Sequence, residues 1–144
     1  MTHPNSGHFA AKHSDKTRCD QEIAEAVKRK VEKRKITCAA AHQIAQKLHK
    51  KPAEVGIVID LLEIKISRCQ LGLFGYYPKK KIVEQGDPVP QELKEKIKNS
   101  VVNHKIGCLA CWKIADSMDI SKLSVAQACE TLAIMISDCQ LGAF

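Results

Sequence analysis

The feature that most constrains this chain is an internal duplication. Cys69-Gln70-Leu71-Gly72-Leu73-Phe74 returns as Cys139-Gln140-Leu141-Gly142-Ala143-Phe144, and a shift of 70 positions aligns residues 21–74 with 91–144 without a gap, 21 of the 54 positions being identical. The matches run through the apolar skeleton: Val31/Val101, Ile36/Ile106, Cys38/Cys108, Ile44/Ile114, Val55/Val125, Leu62/Leu132 and Ile66/Ile136. A unit of that length buries only a marginal core by itself. The two copies are therefore expected to pack on each other as a pseudo-dimer.

Residues 1–20 are polar, carry His3, His8 and His13 beside a single Cys19, and have no apolar period; a mobile tail is expected. Repeat one is expected over 21–77, a linker over 78–90, where Pro78, Gly86, Pro88 and Pro90 interrupt the chain, and repeat two over 91–144. Asp20 stands as N-cap to a helix marked by Ile23, Val27 and Val31. A second helix buries Ala41, Ile44, Ala45 and Leu48, and a third opens at Pro52 with Val55, Val58, Ile59 and Leu62 inward. Lys65-Ile66-Ser67-Arg68-Cys69 alternates polar and apolar, the signature of a short strand.

This order of parts resembles the winged helix-turn-helix of prokaryotic transcription regulators, in tandem. The resemblance implies a mainly α fold with short β-strands, built as two winged-helix-like three-helix units, with a wing in copy one where the strand continues through residues 73–77. It also implies double-stranded DNA as partner and regulation of transcription as the task, the third helix entering the major groove.

The net charge of +7 is unevenly placed. Residues 1–81 hold 17 Lys and Arg against 8 Asp and Glu, whereas residues 82–144 hold 6 against 8. Copy one is thus the candidate for meeting a polyanion. Its first helix is expected to present Lys28, Arg29, Lys30, Lys33, Arg34 and Lys35, either as a phosphate-contacting surface or as a plain solvated face. Lys47, Lys50 and Lys51 around the turn, and Lys79 and Lys80 in the linker, complete the candidate phosphate contacts.

The third helix fits that reading less well. With its core face fixed, Ala53, Gly56, Ile57, Asp60 and Ile64 point outward with Leu61 at the edge; these cannot read a base, and Asp60 repels phosphate. An all-round apolar helix is normally buried, so Ile57, Leu61 and Ile64 are expected to meet the other copy, a second chain or a partner. In copy two only Gln127 suits base contact. Trp112, which replaces His42, is assigned to the interface between copies.

Seven cysteines in a chain without an apolar leader argue for reduced thiols. Cys38, Cys69, Cys108 and Cys139 obey the duplication, and Cys111 makes a C-x-x-C with Cys108 at a helix start, where the dipole lowers a thiol's pKa. These thiols are either core filling or a metal or redox site, and no cofactor or metal is expected. Dispersed glycines form no phosphate loop and no nucleophile-base pair stands at a recognisable spacing, so the chain is expected to be non-enzymatic. No run of 18 apolar residues exists to span a membrane, and the cytoplasm is the expected compartment.

Three functions follow from these residues: a DNA-binding regulator contacting phosphates through copy one, with copy two packing or forming a homodimer; a protein-interaction module that retains the fold without DNA binding; and a thiol-based metal or redox sensor.

Overall fold

The computed structural model describes residues 9–14 and 17–144. The chain is mainly helical, with short strands in two small parallel pairs. After a 3-10 turn at Phe9–Lys12 come α1 (Gln21–Lys30), β1 (Lys35–Thr37), α2 (Cys38–Leu48), α3 (Pro52–Leu61) and β2 (Lys65–Ser67). The same order returns as α4 (Gln91–Ser100), β3 (Lys105–Gly107), α5 (Cys108–Met118), α6 (Lys122–Thr131) and β4 (Met135–Ser137). Among the described residues no helix is long and apolar enough to cross a membrane.

The chain divides into two compact units that do not coincide with the sequence repeat. Unit one holds residues up to Cys69 together with Gln140–Ala143; unit two holds Gln70–Cys139 and Phe144.

In unit one, α1 starts where expected, the Asp20 carboxylate accepting the Ile23 N–H at 3.1 Å. That bond, with Lys50 at 3.4 Å adding a smaller electrostatic pull, holds the Asp20 carboxyl below the usual carboxylate range. A depressed native pKa stabilises the fold above the ordinary Asp value and loses that contribution as pH falls through the native one. Asp20→Ala is therefore expected to lower the melting temperature at neutral pH, with the difference shrinking as the pH falls through the lowered native value, a comparison that thermal scans across the acid range would check.

The first helix is shorter than its charge run. It ends at Lys30, Val31 leaves the helical region, and Glu32 and Lys35 exchange backbone hydrogen bonds at 2.9 and 3.0 Å across Lys33 and Arg34, both at positive φ. Two left-handed central residues closed by such a pair make a type I′ turn. Lys33, Arg34 and Lys35 thus belong to a turn and a strand, not to the helix the sequence suggested.

β1 and β2 pair in parallel, Lys35 opposite Lys65, Ile36 opposite Ile66, Thr37 opposite Ser67. Parallel neighbours need a crossover, and α2 with α3 supplies it. Ile36 and Ile66 point inward and are buried; the flanking residues face out. β2 stops at Ser67, and residues 68–77 form turns and bends, so the expected wing strand is absent.

α3 differs from expectation on its outer face. Val55, Val58 and Ile59 are core as predicted, but Gly56 and Asp60 are buried too. Gly56 receives the backbone of Leu141: a Cβ there would lie 2.7 Å from the Leu141 carbonyl carbon and closer still to its oxygen. Asp60, 5% exposed, accepts Lys12 at 2.9 Å and His13 at 2.8 Å. Phe9 and Ala10 donate their N–H groups to the Glu63 carboxylate, and Lys12 also reaches the Gly142 carbonyl at 3.0 Å. Residues 9–13 are therefore docked where a mobile tail was expected, because the Lys12 ammonium, the His13 ring and the N–H groups of Phe9 and Ala10 meet two carboxylates at the end of α3. His3 and His8 lie outside the described residues.

Unit two repeats the plan around Ile97, Ile106, Cys111, Val125, Cys129 and Leu71, all fully or almost fully buried. Its α6 is crossed by residues that follow the first strand pair. A Cβ on Gly72 would come 2.7 Å from Leu123 Cδ1, Ile82 and Val83 donate their N–H groups to the Gly72 carbonyl, and Lys81 and Gln85 bond Glu130. Gly72 sits at φ +77°, which a side chain rarely adopts. Much of the expected linker is thus held against a helix. Phe74 and Phe144 meet edge to face at 6.0 Å in the same unit.

Candidate nucleic-acid interface

The outward face of the β1/β2 pair is built by alternation. With Ile36 and Ile66 inward, Lys35 and Lys65 both point to solvent as register partners, roughly 5 Å apart at the backbone. Two ammonium groups so placed repel by up to about 1 kcal/mol in water, and like charges directly opposite destabilise a strand pair. The turn adds Lys33 and Arg34, the end of α1 adds Lys28, Arg29 and Lys30, and Arg68 at φ +49° closes the far end of β2. All eight side chains are exposed, and among the described residues none lies within ion-pair distance of a carboxylate.

The candidate phosphate contacts separate accordingly. Lys28, Arg29, Lys33 and Arg34 fall in this cluster, Arg34 also reaching the Glu63 carbonyl at 3.5 Å. Lys47, Lys50 and Lys51 sit at the other end of α2, about 15 Å away along its axis, and Lys50 pairs with Asp20. Lys79 and Lys80 belong to unit two, where Lys79 lies 3.7 Å from Glu84. Lys65 and Arg68 were missed by the sequence reading; the strand pairing that sets Lys65 opposite Lys35 and Arg68 just past the other end of the pair is the only signal for them.

The duplicate provides an internal comparison. At the positions of Lys33, Arg34, Lys65 and Arg68, unit two carries Asn103, His104, Met135 and Asp138 on the same backbone, turn and register included. Asn accepts the left-handed region far more readily than Lys or Arg, each of which costs roughly 1 kcal/mol there. Replacing Lys33-Arg34 by Asn-Gly is expected to raise unfolding stability by about 1 kcal/mol, measured by urea titration, while weakening any polyanion binding. A basic turn is the less stable choice for this backbone.

The helices that a winged helix would use for base contact are occupied by other parts of the chain. Ile57 and Leu61 are half-buried and Ile64 is buried; beside them on α3, Gly56 is covered by Leu141, and Asp60 by Lys12 and His13, all within the same unit. Gln127 is half-buried and shares a helical face with Leu123 and Glu130, the face crossed by residues 72–85. Trp112 carries the Lys122 ammonium 4.5 Å above its ring, a contact within unit two.

The thiols are not arranged as the C-x-x-C suggested. None of the seven forms a disulfide among the described residues; Cys38, Cys69, Cys108, Cys111 and Cys129 are buried and Cys139 is half-buried. Cys111 pairs with Cys129 of α6, not with Cys108. That hydrogen bond first, and burial second, push the Cys111 thiol far above its ordinary range, opposite to the lowering expected at a helix start; the same bond lowers Cys129, against its burial. Among the described residues no group of three or more His, Cys, Asp or Glu side chains is placed to hold a metal ion.

No protein-family model matches the chain, and no curated protein or solved structure is significantly similar to it.

Proposed function

We propose that this protein binds duplex DNA through the phosphate backbone, using the basic face of unit one formed by the end of α1, the Glu32–Lys35 turn and the outward side of the β1/β2 pair. The observation that carries this reading is the register pairing of Lys35 with Lys65 beside a left-handed Lys33-Arg34 turn. The fold holds eight cations together with no carboxylate within ion-pair distance of them among the described residues, at a Coulomb cost that a polyanion relieves.

Contacts of this type release condensed counterions and fix position without reading sequence. The absence of a wing at residues 68–77 and the covering of α3 both favour sequence-independent binding over operator recognition. A role in regulating transcription would then rest on occupancy or DNA shape. Fluorescence anisotropy of a mixed-sequence duplex at several salt concentrations tests the proposal. Binding whose logarithm falls linearly and steeply with the logarithm of salt supports it; no binding at low salt removes it.

A further inference from the structure

The face of unit two that corresponds to the basic face of unit one is apolar where the other is charged. Among the described residues four large hydrophobic side chains are prominently exposed, and apart from Tyr77 they all come from this region: Val102 at 70%, Met135 at 61% and Leu109 at 49%. Their counterparts in unit one are Glu32, Lys65 and Ala39. Met135 lies opposite Lys105 on the outward side of the β3/β4 pair, Val102 opens the adjoining turn, and Leu109 lies in the first turn of α5. Beside them is an open hollow of about 340 Å³ lined by Val102, Asn103, Lys105, Gly107, Ser137 and Asp138. Gly107 leaves it empty, since a Cβ there would meet nothing within 4 Å, whereas unit one has Thr37 at that place.

We infer that this face is where a second copy of the chain docks, about a twofold axis lying in the face and crossing the strands. The charges select this occupant. β3 and β4 run parallel, so Lys105 stands at the beginning of the pair and Asp138 just past its end. An axis crossing the strands reverses their direction in the second copy and sets Lys105 of each chain, with Met135 and Val102 beside it at the same end of the pair, against the end of the other that carries Asp138. An axis along the strands sets like charge on like charge. An isologous contact requires such self-complementarity, and the basic face of unit one, with Lys35, Lys65 and Arg68, cannot supply it. The dimer would carry two basic faces, one per chain, which raises the number of phosphates a single complex can meet.

The inference does not depend on DNA binding and is tested without nucleic acid. Sedimentation equilibrium over a wide concentration range is expected to give a mass rising from 16.0 kDa toward twice that value. Met135→Lys, which installs the residue of unit one, and Asp138→Lys are each expected to weaken association at least tenfold, with circular dichroism unchanged because both side chains are exposed. The charge exchange Lys105→Asp with Asp138→Lys is expected to restore it. A monomer at every concentration overturns the inference, as does a dimer indifferent to Asp138→Lys or a charge exchange that fails to rescue.

Discussion

Gly56→Ala is expected to destabilise the protein by about 2 kcal/mol, although alanine in a helix interior ordinarily gains about 1 kcal/mol over glycine. The sign is diagnostic. The added methyl group would overlap the Leu141 carbonyl, which is backbone and cannot rotate away, so either the C-terminal segment leaves α3 or the helix shifts. Leu141 is almost fully buried, and Leu141→Ala is expected to cost about 3 kcal/mol by loss of burial and the cavity left behind. Because both changes loosen the docking of the same C-terminal segment on α3, the double variant should cost less than their sum. Urea titrations of the three variants measure this; a stabilised Gly56→Ala protein would mean that α3 is open on this side. The counterpart of Gly56 is Ala126, so the equivalent position of unit two already accommodates the methyl group.

The largest effect on binding is expected from charge reversal in the turn and strand pair, Lys33→Glu with Arg34→Glu and Lys65→Glu. If each wild-type side chain neutralises one phosphate, their loss reduces the salt slope by about three and lowers affinity several-hundred-fold near 0.1 M salt, before any repulsion from the new carboxylates. The same reversal at Lys47, Lys51 and Lys80 is expected to do far less, since those residues lie outside the cluster. A reversal at Lys47, Lys51 and Lys80 that matched it would place the contact outside the cluster. All six side chains are exposed, so loss of fold does not confuse the comparison.

Much of this architecture was legible in the sequence, and the exceptions share a cause. Apolar spacing located α1, α2 and α3 and the short strand after them, because burial of one face dictates that spacing. The end of α1 was misread because no glycine or proline marks it: the turn that stops the helix uses Lys33 and Arg34, residues that rarely hold left-handed backbone. Copy two, with Asn103 at the same place, carried the better signal. The outer face of α3 was misread because its cover comes from residues 9–13 and 140–143, far away along the chain. Two local hints existed, an isolated glycine inside a helix and a buried-looking aspartate on an apolar one, both of which point to close approach by another segment. Arg68 and Lys65 became site residues only through the parallel pairing of β2 with β1, which periodicity alone cannot give.

The divergence between the two copies ties these observations together. The backbone of turn and strand pair is the same in both units, and what changed is the chemistry on its outward face: a cluster of cations in one, apolar residues with Lys105 and Asp138 in the other. A duplicated scaffold of this kind can carry two interactions at equivalent places without altering its core.

On the proposal above, duplex DNA meets the face of unit one and not its duplicate. Nitrogen-15 chemical-shift mapping of the full chain titrated with a mixed-sequence duplex tests it most directly, because each residue of one copy has its control 70 positions away. Shifts are expected to concentrate at residues 28–35 and 65–68, with residues 98–105 and 135–138 little changed. Shifts centred on α3 or α6, or equal in the two copies, would contradict it.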